Sequence, residues 1–198
     1  MANEAAIASL AESLARRLDN AWTAPLAERH GIVAFQTVAS GGLLADISAE
    51  GANSVVTVWP WRLTINEQLR NVVPAQVQRS PGQANRPLML DVHLLLTVWS
   101  AQAARELAVF TWVLRELHRV PVLDASVLSS DGGWAADEVV QLVPAEISVE
   151  DMMRLWDAVT PSYRLSASYV ARIVQVDVEE AEAAPVVARR FDYGGLAR

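Results

Sequence analysis

The sequence predicts an α+β fold: a single domain with a mixed or mainly antiparallel sheet and helices mostly on one side. Three observations carry this. Apolar residues at spacings of three and four open the chain (Ile7, Leu10, Leu14, Leu18). Strand-like patterns recur over residues 55–65, 88–99 and 138–147, and from 163 to about 178. The helical patterns fall between strands in the order helix, strands, helix, strand, helix, strand, tail, which is the order of an α+β domain. At 198 residues and 52% hydrophobic, one domain of this size buries roughly 70% of its unfolded surface.

The opening helix is expected over residues 3–19, its stripe narrow and padded with alanine, with Glu4, Glu12, Arg16 and Arg17 off the stripe. Pro25 and Gly31 are expected to end the helical region, and a softer glycine-bearing stretch follows over residues 37–53. In residues 55–65, Val55, Thr57, Trp59, Trp61, Leu63 and Ile65 alternate with the other face. Pro60 donates no ladder hydrogen bond, so this strand lies at an edge or is bulged there. Residues 71–87, rich in Pro, Gln and Asn, read as an exposed loop. Residues 88–99 are apolar on both faces, as in a central covered strand.

A helix is expected over residues 101–119, with Leu107, Phe110, Val113 (or Leu114) and Leu117 inward and Arg105, Glu106, Arg115, Glu116 and Arg119 in water. Residues 129–133 form a turn, and residues 138–147 a strand containing Pro144. Ser148 is placed to cap a short helix, with Asp151 at the capping-box position and Met152, Leu155, Trp156 and Val159 as its apolar side. A long strand from residue 163 follows. The domain is expected to span residues 1–178, with residues 179–198 a charged tail.

Composition excludes several chemistries. Cysteine is absent, which removes disulfides, thiol nucleophiles and thiolate metal sites. Lysine is also absent, all 16 basic residues being arginine, so a Schiff base and a P-loop lysine are ruled out. A GC-rich genome is sufficient to explain that bias, although arginine also suits planar ion pairs and interfaces. The net charge of −7 argues against general attraction to nucleic acid or anionic lipid. No apolar run reaches the length of a membrane span, and the N-terminus lacks the charge pattern of a secretion signal, so the chain is expected in the cytoplasm at first.

The three histidines, His30, His93 and His118, share no metal-ligand spacing. Asp91 and His93 stand two apart on one strand and share a face, which would suit an oriented general base, but no nucleophile motif accompanies them. Such a pair more commonly serves a hydrogen-bonded or solvated face. No catalytic, cofactor or metal site is assigned. Among the seven tryptophans, Trp59 and Trp61 read as core, with an interface as the competitor, and Trp134 after its turn as the better surface candidate.

Four stretches taken in order add more: VTVWPWRLTINEQLRN (residues 56–71), RPLMLDVHLLLTVWS (86–100), LRELHRVPVLD (114–124) and SVEDMMRLWDAVTPSYRLSASYVARIVQVD (148–177). Together they resemble the cap, or tail-terminator, proteins of extracellular contractile injection systems of the Photorhabdus virulence cassette and antifeeding prophage type. The likeness runs from the N-terminal helix to about residue 177.

The resemblance implies a structural cap with a tail-terminator-like fold. Such a protein closes the distal end of the particle as a six-fold homo-oligomeric ring, ends polymerisation and links the inner tube protein to the sheath protein. It implies no cofactor, no nucleic acid and no membrane insertion, with assembly in the bacterial cytoplasm as part of a particle that is released. Expected contact residues are Arg86, Trp134, Arg189, Arg190, Phe191 and Tyr193, against the plainer reading of the tail as terminal disorder. Some such proteins carry further sequence after the shared domain, and functions seated there are not expected here. A phage tail-completion or connector protein is the nearest alternative, with an unrelated adaptor domain and a small hydrolase built on Asp91 and His93 behind it.

Overall fold

The structure is a computed structural model describing residues 2–39, 47, 53–66, 88–159 and 162–176, with the side chain of residue 173 excepted. Within these residues the chain runs α1 (Ala6–Ala21), α2 (Ala24–His30), β1 (Val33–Thr37), β2 (Ser54–Ile65), β3 (Leu88–Ser100), α3 (Ala103–Arg119), β4 (Val122–Leu123), β5 (Val140–Pro144), α4 (Val149–Asp157) and β6 (Ser166–Val176). The described strands form one sheet in the order β1-β2-β3-β6-β5-β4. β1 runs parallel to β2, and every other pairing is antiparallel. The α+β class, the mixed sheet and the central place of residues 88–99 are as the sequence predicts.

α1 lies close on the sheet because its inner face is small. Leu10, Leu14 and Leu18 are fully buried, and Ala6, Ser9, Ala11, Ser13 and Ala15 pave the space between them. Each leucine contributes about 1.5–3 kcal/mol by leaving water. The two serines are not wasted polar groups. The Ser129 amide donates to Ser13 Oγ (2.8 Å), Ser9 Oγ donates to the Ser129 carbonyl (3.2 Å) and Trp134 Nε1 donates to Ser9 Oγ (3.0 Å). These bonds fasten the 3-10 turn Ser130–Gly132 to the helix, and Gly133 ends that turn in the left-handed region at φ 64°. Ala2 then continues the sheet by a parallel bridge to Val176, its amide donating to the Gln175 carbonyl (3.1 Å).

Pro25 does not end the helical region as expected. It stands in the first turn of α2, after an extended Thr23, where its missing N–H has no partner to lose. Gly31, at φ 87°, does end that helix. β1 and the two-residue β4 are too short to show a pattern and fall in stretches the sequence left unassigned.

On α3 the buried line is Val109, Val113 and Leu117, while Leu107 is 55% exposed. The helix is turned so that an i, i+4 row meets the sheet and Phe110 and Leu114 flank it. The expectation that Glu106 and Glu116 face water is likewise corrected. Glu116, with only 11% of its side chain exposed, pairs with Arg17 (3.6 Å) and Arg119 (2.7 Å), and Glu106 pairs with Arg164 (3.4 Å).

Alternation along β3 divides the core. Leu90, Val92, Leu94, Leu96 and Val98 face α1 and α3, whereas Leu95 and Trp99 face α4. β2 follows the same rule only as far as Pro60. Pro60 pairs with Leu94 and Arg62 with His93, so Trp61 is the extra residue of a bulge. That insertion exchanges the faces beyond it. Leu63 and Ile65 now pair with Val92 and Leu90, on the face opposite Trp59, where the alternation had placed them together. Of the two places the sequence allowed for Pro60, the bulge is observed, beyond the last β1 pairing at Val58.

Candidate functional site

α4 is held over the second face of the sheet by aromatic packing. Ser148 caps it by accepting from the Asp151 amide (3.0 Å) and donating to Asp151 Oδ2 (2.8 Å). Met152 and Trp156 are buried against Val38, Trp59, Leu95 and Trp99. The Trp156 ring lies 6.1 Å from that of Trp99 and 6.1 Å from that of Tyr163, and the Arg164 guanidinium stands 5.5 Å above Trp99. Trp99 Nε1 donates to the buried Thr57 hydroxyl (3.1 Å), so this indole carries no unmet polar cost.

Between α4 and the bulged part of β2 lies a groove of about 470 Å³. Trp61 and His93 form part of its wall, and Arg62, Glu146, Asp151 and Arg154 supply charges of both signs. His93 sits 5.9 Å from Trp61, ring to ring, and its Nε2 is 3.1 Å from Thr64 Oγ1. Asp91 does not line the groove. Its carboxylate accepts from Asn66 Nδ2 at 3.2 and 3.1 Å. The two residues weighed as an acid–base pair are therefore not brought together in one cleft. Among the described residues no group of three or more His, Asp or Glu side chains converges to hold a metal, and no helix is long and apolar enough to cross a membrane. The groove thus sets charges of both signs beside an indole and an imidazole.

The imidazolium of His93 is disfavoured, first by burial and then by the Arg62 charge, with Asp91 opposing both, so its pKa falls below the ordinary 6.5. The unfolded chain then takes up a proton at a higher pH than the folded one. Stability is unaffected above the unfolded value, declines as pH falls below about 6.5, and levels off below the folded value. We expect urea denaturation of wild type at pH 7.5 and 5.5 to show this decline and His93→Gln to show a smaller one. An identical pH dependence in the two proteins would count against it.

On the other face, the end of α1, α2, β1 and α3 meet around aromatic rings. Trp22 and Trp112 stand edge to face at 4.7 Å, and Phe35 lies 6.3 and 6.1 Å from them. Beside Trp112 the C-terminal half of α3 borders a second groove, of about 440 Å³, carrying Leu114, Arg115, His118 and Arg119.

Of the contact residues expected from sequence, the structure describes Trp134. It is half-buried, packs on the α1 core and spends its N–H on Ser9, so its indole already has a task within the chain. Arg86, Arg189, Arg190, Phe191 and Tyr193, like residues 71–87 and 179–198 as a whole, lie outside the described residues. Sequence reasoning missed Val149 and Met153, exposed apolar residues on the outside of α4. Their i, i+4 spacing is visible in the sequence, but spacing alone does not tell an outward pair from an inward one.

The Pvc16 N-terminal domain family matches this chain over residues 6–189. No curated protein sequence matches it. Among solved structures, the sheath/tube terminator of an extracellular contractile injection system (PVC), in its extended state, superposes with a TM-score of 0.58 at 18% identity, covering 96% of this chain and 64% of that one. The tube-terminating cap of the anti-feeding prophage gives 0.53 at 15% identity, covering 91% of this chain and 59% of that one. This chain thus spans less than two thirds of the length of either, and at these identities the likeness is one of fold.

Proposed function

The chain belongs to the Pvc16 N-terminal domain family, and from that premise we propose that it is a structural tube terminator of a contractile injection particle. The observation that carries the reading is the family match across residues 6–189. The shared fold with a sheath/tube terminator and a tube-terminating cap supports it. In this reading copies of the chain close into a six-fold ring on the last layer of the inner tube. The ring denies the tube its next subunit, binds the sheath and carries out no catalysis.

A cyclic ring requires two different, complementary faces on each subunit. Helices α3 and α4, on opposite sides of the sheet and each with a groove beside it, give the chain two unlike surfaces. Trp134, Arg86 and a tail over residues 179–198 bearing Arg189, Arg190, Phe191 and Tyr193 extend the contacts to neighbouring subunits. Assembly takes place in the bacterial cytoplasm, before the particle leaves the cell.

Deleting the gene in a producing strain tests this. Electron microscopy should show tubes of broad length distribution running well past the wild-type length, corrected by supplying the chain in trans. Particles of unchanged length with normally closed ends would overturn the proposal.

A further inference from the structure

Helix α4 uses Met152 and Trp156 to hold the sheet, yet its outer side is also apolar. Val149 is 75% exposed and Met153 42% exposed, one turn apart, with the exposed carboxylates of Asp157 and of Glu150, the latter paired with Arg154, beside them. Isolated exposed apolar residues need no explanation; a paired ridge with an acidic border, opposite a groove of matching character on the same molecule, is different. That groove is the one along α3. Its apolar members are Trp112 and Leu114, and its rim carries Arg115, His118 and Arg119. Glu116, the carboxylate among its described residues, is engaged by Arg17 and Arg119, which leaves Arg115 as the arginine there without an ion pair among the described residues. In a chain of net charge −7, this basic rim stands apart from the acidic α4 segment, where Glu146, Glu150, Asp151 and Asp157 outnumber Arg154.

We propose that the partner seated in the α3 groove is α4 of a second copy of this chain. Val149 and Met153 lie in the groove against Leu114, and Asp157 faces Arg115. An apolar centre within a rim of opposite charges is the ordinary anatomy of a specific interface. Because α3 and α4 lie on opposite faces of the sheet, the contact is head-to-tail. Each copy keeps one face free for the next, and the series closes into a ring when the rotation permits. The proposal rests on the ring reading above and names the surfaces that build it.

Opposite-charge variants separate the two ideas. Arg115→Glu reverses one face; Asp157→Arg reverses the other. Both side chains are exposed and neither is ion-paired among the described residues, so circular dichroism should show wild-type folding. In sedimentation velocity at low salt, each variant alone should need about tenfold or more protein to assemble. An equimolar mixture of the two should recover assembly, because reversed faces meet reversed faces and native faces meet native ones.

The absence of cysteine gives a second readout. Met153→Cys combined with Leu114→Cys should yield a ladder of disulfide-linked oligomers on oxidation, where either change alone gives at most dimers. Wild-type assembly by both reversed variants, or a mixture that fails to recover it, overturns the α3–α4 pairing and leaves the ring reading standing. A wild-type chain that stays monomeric at every concentration and is missing from particle ends, together with no ladder from the double-cysteine chain, overturns both.

Discussion

Replacing Trp156 with alanine is expected to lower the free energy of unfolding by about 3–5 kcal/mol, the range for deleting a buried tryptophan side chain. α4 reaches the sheet mainly through Met152 and Trp156, and Trp156 is the member that meets both Trp99 and Tyr163. Removing it opens a cavity that a nine-residue helix cannot refill from its own side chains. The opposite core, under α1 and α3, shares none of these contacts, so the damage should be local. Limited proteolysis should cut first near α4 while far-ultraviolet circular dichroism stays close to wild type, and chemical denaturation gives the magnitude. A loss below about 1 kcal/mol would mean that α4 is held by something other than this indole.

The second large effect is expected at Gly132. A β-carbon there would overlap the Trp134 indole nitrogen and stand 2.8 Å from Ser9 Oγ. Neither neighbour gives way freely, because Trp134 packs on the core and Ser9 is fixed on α1. Gly132→Ala should therefore cost about 1–3 kcal/mol, as overpacking does, with Trp134 pushed outward and tryptophan emission shifted to the red. Adding Trp134→Phe to the same chain removes the clashing nitrogen. The two changes should then cost less together than the sum of each alone, a coupling that a double-mutant cycle measures. Additive losses would show that the glycine is there for another reason.

These two sites also mark where the sequence was legible. The Ser148 cap, the inward stripe of α4 and the covered strand β3 follow from local rules of capping and periodicity, and the structure shows each one. What escaped depends on residues far apart in the chain. Glu116 reads as a solvated helix position until Arg17, on another helix, is placed beside it. Leu107 fits the helical period as well as Val109 does, and only the seating of α3 on the sheet decides between them.

The bulge at Trp61 was foreseen as one of two fates for Pro60, but not its effect on Leu63 and Ile65. Alternation carries no mark of where an extra residue is inserted. Trp134 was read from its turn context as a surface residue because the partner that half-buries it, Ser9, lies at the other end of the chain. The site was less legible than the fold for the same reason. A docking surface is made by what faces outward, and an exposed methionine such as Met153 obeys no local rule that sequence alone exposes.

The bridge between Ala2 and Val176 ties the beginning of the described chain to its last strand. β6 also supplies the second neighbour of the central strand β3. Biosynthesis must therefore reach residue 176 before the sheet can knit together. At ~5–20 residues per second, the nascent polypeptide waits roughly 4–15 s after Ser100 is made with its most hydrophobic strand lacking a flank. During that interval β3 is an adhesive edge, open to self-association or to capture by a chaperone. The order of synthesis thus leaves the central strand half-flanked until the last strand of the sheet emerges.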